Sequence, residues 1–266
     1  MRGYIKFFKT QLISGLQYKV AAIAGISTQI FWGFLNTMVF IAFYSHTTNS
    51  DISLSQLITY VWLNQAFLSL IYIRYTDDEV LKTIKTGTVA YELCRPYNTY
   101  IWWFIRGLSN RYARVALRCL PIILLSLFLP EPFKLAMPSS IVSFILFLIT
   151  LIIGSILLVS ILMIIQSIAF FTLEGKGISD LIFIVADLFA GMLFPLPLMP
   201  KVIQNIGMYL PFRLISDLPF RIYSGNIGIS YALNDIVLQI IWIMIFVLIG
   251  QIIMKIALKK VCIQGG

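Results

Sequence analysis

Charge is scarce in this chain. Only 12% of its 266 residues are Asp, Glu, Lys or Arg, about half the share of an average soluble domain. Histidine occurs once, as His46, and cysteine three times, as Cys94, Cys119 and Cys262. One imidazole and three scattered thiols, with no C-x-x-C pair, offer neither a zinc site nor a disulfide framework. The thiols are read as reduced and structural. There is no G-x-x-x-x-G-K-[ST] phosphate cradle: Glu174-Gly175-Lys176-Gly177 lacks the upstream glycine and the hydroxyl, so ATP is not held by that route. A G-x-S-x-G elbow, an H-E-x-x-H pair and a T-V-G-Y-G filter are equally missing, which removes common hydrolase and potassium-channel machinery. The chain is therefore not expected to be an enzyme: no catalytic residue, no metal and no cofactor of its own. The composition also excludes a soluble enzyme domain, a nucleic-acid-binding module and a small secreted disulfide fold.

Apolar residues fill the space that charge leaves. They make up 59% of the chain, and the mean hydropathy is +0.91. A helix needs about 20 apolar residues to cross a hydrocarbon core of about 30 Å. Six segments are read as spans: 20–44, 57–73, 115–129, 139–172, 181–194 and 236–258. The third is short unless its helix begins near Arg111. The fourth is longer than a bilayer needs and must tilt, kink or protrude. The first is too long for a signal-peptide core and is read as retained. The expected fold is thus an all-α, six-helix, multi-pass membrane domain over 20–258, flanked by an amphipathic helix at 1–19 and a tail at 259–266. Counting Lys and Arg on alternating sides puts 16 of the 20 on one side and four on the other. By the positive-inside rule both termini are expected in the cytoplasm of an integral plasma-membrane protein. The formal charge of +9 is then an orientation signal, with no nucleic-acid partner.

Four features go beyond hydropathy. In the leader, Ile5, Phe8, Leu12 and Leu16 recur at helical spacing, with Lys6 and Lys9 elsewhere on the wheel, which fits a helix lying on the inner membrane surface. In the loop 74–110, Thr76 and Glu79 are placed to form a capping box around Asp77 and Asp78. Val80, Leu81 and Ile84 make an apolar stripe, Gly87 supplies a stop, and a second short helix from Thr88 ends at Arg95, ahead of Pro96. Such a helix either docks its stripe into a partner's groove or packs on its own membrane domain. In the segment 195–221, Pro195, Pro197, Pro200 and Pro211 break the backbone after Phe194. Broken backbone at membrane depth requires cover by protein or a water-filled cavity, so re-entrant or interfacial helices on the outer side are expected. Finally, Asp187 is the one carboxylate well inside an expected span. It has two readings: pairing with a basic partner near the inner surface, or a place in a transport path or gate. Gln29, Asn36, Asn64, Gln65 and Gln166 are read as interhelical hydrogen-bond partners or path-lining groups.

In order, these parts resemble a membrane subunit of an ATP-binding-cassette transporter of the type-2 exporter class. The resemblance lies in a branch whose ATPase is a separate chain and whose permease subunits come in pairs. Ile84-Lys85-Thr86-Gly87-Thr88-Val89-Ala90-Tyr91-Glu92-Leu93-Cys94-Arg95-Pro96 is similar to that family's I-x-x-G-x-x-x-x-x-L-x-x-P coupling region. Gly191-Met192-Leu193-Phe194-Pro195-Leu196-Pro197-Leu198-Met199-Pro200, followed by Leu210-Pro211-Phe212, resembles its external elements. The resemblance implies that two permease chains, identical or related, enclose the path, and that a dimer of ATPase subunits using ATP and Mg docks below. It implies that 1–19 is the connecting helix. It makes Thr76, Asp77, Asp78, Glu79, Val80, Leu81, Ile84, Gly87, Glu92 and Arg95 coupling residues, and Phe194, Pro195, Pro197, Pro200 and Pro211 an external gate. A small amphiphile or drug is the first expectation for the cargo of such an efflux system. Two other classes stay open: a stand-alone ion-coupled carrier using Asp187, and a non-transporting membrane scaffold.

Overall fold

A computed structural model describes residues 2–45, 51–172 and 176–260, so that His46, Cys262, Glu174 and Gly175 lie outside it. The described residues form helices joined by turns, with no strand among them. The leader is helix α1, Arg2–Gly15. Helix α2, Lys19–Tyr44, and α3, Leu54–Ile71, follow. The start of α3 is fixed by a complete capping box, in which the Ser53 side chain accepts from the Gln56 backbone N–H and Gln56 reaches back to that of Ser53. Two short helices, α4 (Asp78–Thr86) and α5 (Val89–Leu93), make the loop after α3.

Helix α6 runs unbroken from Thr99 to Phe128, capped by the Asn98 side chain on the Ile101 N–H. It joins what the sequence presents as the end of a loop and a short span into one 30-residue rod. Its arginines do not interrupt it, because a helix pays for charge only where lipid meets that face. Pro121 sits within it, as membrane helices tolerate when neighbours cover the freed carbonyl. Helix α7, Ile141–Thr172, is also continuous. Helix α8, Lys176–Phe189, has 14 residues, about 21 Å. It stops short of the expected end at Phe194, because Ala190 leads into Gly191 at φ +72°, a left-handed step that glycine takes without a Cβ penalty. The prolines after it keep the chain irregular; they do not terminate the helix. Single turns of 3-10 helix at Leu196–Leu198 and Phe212–Leu214 alternate with α9, Lys201–Tyr209, and α10, Asp217–Tyr223. The last helix, α11, extends from Ile229 to Lys260, two residues into the expected tail.

Four of these helices, α2, α3, α7 and α11, are long and apolar enough to cross a membrane. Helix α6 has the length but carries four arginines, and α8 is too short alone. In the most apolar stretches of α3 and α7, 72% and 67% of the residues are buried, against 22% and 11% in α2 and α11. The two central helices hold the core, and the two peripheral ones present Phe31, Val39, Val237 and Leu248 outward. Lipid tails are as apolar as leucine, so close approach and hydrogen bonds, more than apolar burial, hold such helices together. Gly33 of α2 lies where a Cβ would sit 2.6 Å from the Trp62 ring of α3. Trp62 in turn donates its indole N–H to the Phe133 carbonyl at 2.7 Å.

Candidate functional site

The two ends of the bundle differ in construction. At the end carrying Pro195–Pro211 the chain folds back into the molecule. Gly154 is thirteen residues into α7, and a Cβ there would meet the Ile215 carbonyl oxygen at 2.8 Å. The turn Phe212–Ile215 therefore lies about 20 Å along α7 from its start. Its buried Leu214 carbonyl is satisfied: Gln239 Nε2 of α11 donates to Leu214 O at 2.8 Å and to Thr150 O at 3.0 Å. Asp217, fully buried, accepts from the Tyr60 hydroxyl (3.3 Å), the Leu196 N–H (3.3 Å) and Arg221 (3.2 Å). Arg213, also buried, grips both oxygens of Asp235 at 3.0 and 2.5 Å. Pro195, Pro197 and Pro211 are buried in this assembly, whereas Phe194 and Pro200 are exposed. At the surface, Lys201 pairs with Asp51, and Asn226 donates to the Asp51 carbonyl at 2.9 Å. The Lys201 ammonium, hydrogen-bonded to Asp51, holds that carboxyl below its ordinary value.

At the opposite end α4 and α5 lie against α6 and α7. Asp77, not Thr76, caps α4: its carboxylate accepts from the Val80 N–H at 3.3 Å, while the Thr76 hydroxyl bonds Asp78 at 3.2 Å. The expected capping box does not form, because Glu79 turns away to a stronger partner. Arg106 of α6 takes Asp77 at 2.7 Å and Glu79 in a second ion pair; there Glu79 meets a full positive charge, where a capping box would offer it only a backbone N–H. Acids in the first turn and Lys85 in the last suit the helix dipole. Gly87, at φ +71°, ends α4 as the sequence predicts.

The apolar stripe faces inward. Val80 and Ile84 are 1% and 6% exposed, packed in a cluster with Val89, Tyr100, Trp103, Val159, Met163 and Met254, and Leu81 is half-buried against them. The stripe therefore holds α4 to its own membrane helices and is not a surface for a partner's groove. Glu92 likewise points home, accepting from the Trp103 indole at 2.6 Å. What is exposed is the other face: Asp78, Glu79, Lys82, Lys85, Thr88, Tyr91, Cys94 and Arg95.

Behind α4 is a cavity of about 600 Å³. Its walls come from α1 (Gln11, Ser14), the α1–α2 turn (Tyr18), α2 (Ala21, Ala22), α6 and α7 (Leu162, Gln166). One face of α6 supplies Arg106, Arg111, Arg114 and Arg118. The spacing of these four at 5, 3 and 4 residues is a helical signal that runs across the boundary the sequence suggests between loop and span. Arg111 is buried and donates to the carbonyls of Leu70, Tyr72 and Tyr75 at 3.0, 3.0 and 2.7 Å, the negative end of α3 serving as its counter-charge. Arg74, just beyond α3, pairs with Asp187 of α8 at 2.7 Å. This is the structural pairing, and it leaves Asp187 Oδ1 buried without a partner. The interhelical role expected of the amides is mostly not seen. Asn64 reaches Met192 Sδ at 3.7 Å, but both side-chain polar atoms of Gln29, and Oε1 of Gln65 and Gln166, are buried without partners. Asn36 is half-buried. Among the described residues no group of three or more His, Cys, Asp or Glu could hold a metal.

Compared with known families, residues 30–265 match a model described as an ABC-2 family transporter protein. No curated protein matches the chain.

Proposed function

Because the chain belongs to the ABC-2 family of transporter proteins, as a multi-pass membrane subunit that is not itself the ATPase, we propose that it is the permease of an exporter driven by a separate ATPase dimer. Two permease chains enclose the path, and α6 and α8, the latter continued by the irregular segment after it, complete six spans. The end bearing α1, α4 and α5 faces the cytoplasm, as do both termini. The observation that carries this reading is the way α4 is mounted. Its apolar underside is sealed against α6, α7 and α11, its first turn is clamped by Arg106, its polar face is exposed at Asp78, Lys82 and Lys85, and Tyr91 of the adjoining α5 is 76% exposed. A helix so held transmits a push from below into the bundle without detaching from it. Asp78, Lys82, Lys85 and Tyr91 offer charge and one aromatic to a docking ATPase groove. Val80 and Ile84 serve the transmission and Asp77 and Glu79 the clamp, while Phe194 and the prolines shape the outer gate.

The test is transport by proteoliposomes containing the chain and an ATP-binding-cassette ATPase from the same genome. ATP-dependent export lost in Asp78→Lys/Lys85→Glu, with folding intact, is expected. Transport that persists without ATP and follows an ion gradient until Asp187→Asn abolishes it would replace this reading with the ion-coupled carrier. Val80→Asp is no test of docking, since it buries a charge and unfolds α4.

A further inference from the structure

Of the four arginines lining the cavity behind α4, two have their charge answered. Arg106 has Asp77 and Glu79, and Arg111 has three carbonyls at the end of α3. Arg114 and Arg118, one helical turn apart, do not. Arg114 is exposed and lies over the Tyr75 ring at 5.5 Å. Arg118 touches only neutral acceptors, Ala21 O at 3.2 Å and Ser69 Oγ at 3.5 Å, and its Nε is buried without a partner. Among the described residues neither forms an ion pair. Arg118 is held in this posture by Gly25 of α2, where a Cβ would fall 2.5 Å from the guanidinium carbon. The acids of the cavity, Asp77, Asp78 and Glu79, sit at its far end, two of them on Arg106, which is twelve residues or about 18 Å along α6 from Arg118.

We propose that Arg114 and Arg118 bind the phosphate of an anionic phospholipid headgroup from the inner leaflet, seated in this cavity between α1, α2 and α6. Two guanidinium forks one turn apart match the oxygens of a phosphodiester. The lipid source, and not a free anion, follows from the surroundings. The cavity opens beside the amphipathic helix α1, its wall includes Ala21, Ala22 and Leu117, and the neighbouring residues Val20 and Ile23 of α2 are 83% and 65% exposed. Acyl chains can lie along that face while the headgroup turns inward. The placing of this end at the inner leaflet rests on the permease reading, but the binding test needs no ATPase, so the two stand or fall separately.

The purified full-length chain is equilibrated with mixed micelles of phosphatidylglycerol and phosphatidylcholine, and retained lipid is counted by native mass spectrometry. One phosphatidylglycerol per chain is expected in preference to phosphatidylcholine. The Arg114→Gln/Arg118→Gln chain should bind it about tenfold more weakly or worse. The charge-matched control Lys134→Gln/Lys255→Gln, at exposed positions, should bind as the parent does. Equal retention of the two lipids by the parent chain overturns the proposal whether or not the variants fold, as does undiminished binding by the arginine variant. Displacement of the lipid by millimolar inorganic phosphate alone assigns the site to a free anion and overturns the lipid source.

Discussion

The two ends of this bundle solve opposite problems with the same scarce currency of charge. At the proline-rich end each buried ion is answered: Asp217 by three donors, Arg213 by both oxygens of Asp235, the irregular backbone by Gln239. At the other end charge is left partly unanswered around a cavity, and the elements that meet there are short helices held by one clamp and an apolar underside. Satisfied networks hold a single arrangement, whereas sparse contacts give the low-stability regions from which moving parts are drawn. One end is built to keep its shape; the other, on the function proposed above, receives the ATPase.

Removing answers at the closed end should cost most. Asp217→Ala takes the counter-charge from Arg221 and the acceptor from the buried Leu196 N–H, and should destabilise the chain by about 3–5 kcal/mol, read as a fall in unfolding temperature in detergent. A loss below about 1 kcal/mol would show that the closed end is not the rigid one. Next is Gly154→Ala, which drives a methyl against the Ile215 carbonyl and should cost about 1–3 kcal/mol. At the open end Arg106→Gln should cost less in folding, about 1 kcal/mol for a partly exposed clamp, but should sever ATP hydrolysis from transport. Equal losses of stability at both ends would erase the contrast.

The smallest effect is a surface one. Lys201, by its hydrogen bond, holds Asp51 below the ordinary carboxylate value of 3.8, so the pair stabilises the ionised, folded form. That contribution is fully present above about pH 5 and disappears as the pH falls through the lowered value. The difference in unfolding temperature between parent and Asp51→Asn should follow that course.

Much of this was legible in the residues, for physical reasons that differ by region. The leader, α4 and its stop at Gly87 were readable because amphipathic spacing and caps are local signals. The inward turn of Val80 and Ile84 was not, since a stripe shows only that it will be covered, not by what. The unity of α6 was hidden because hydropathy counts charge without regard to face; its four arginines share one side, where a cavity and α3 receive them. The prolines are the loudest breakers in the sequence, yet α8 ends before them, at a single glycine five residues before Leu196. Asp217, Arg213 and Gln239 give no local signal, because apart from Arg221 the partners that define them lie 21 to 157 residues away in the chain. The match to the ABC-2 family over 30–265 bears out the resemblance drawn from the order of the parts.

The central claim is that the open end meets the ATPase. It is tested most directly by placing a photo-crosslinking residue at Tyr91 in one chain and at Tyr209 in another, positions 76% and 79% exposed at opposite ends, and irradiating each with the ATPase present. Capture of the ATPase from position 91 and not from 209 is the predicted result. Capture from 209, or from neither, would contradict the account.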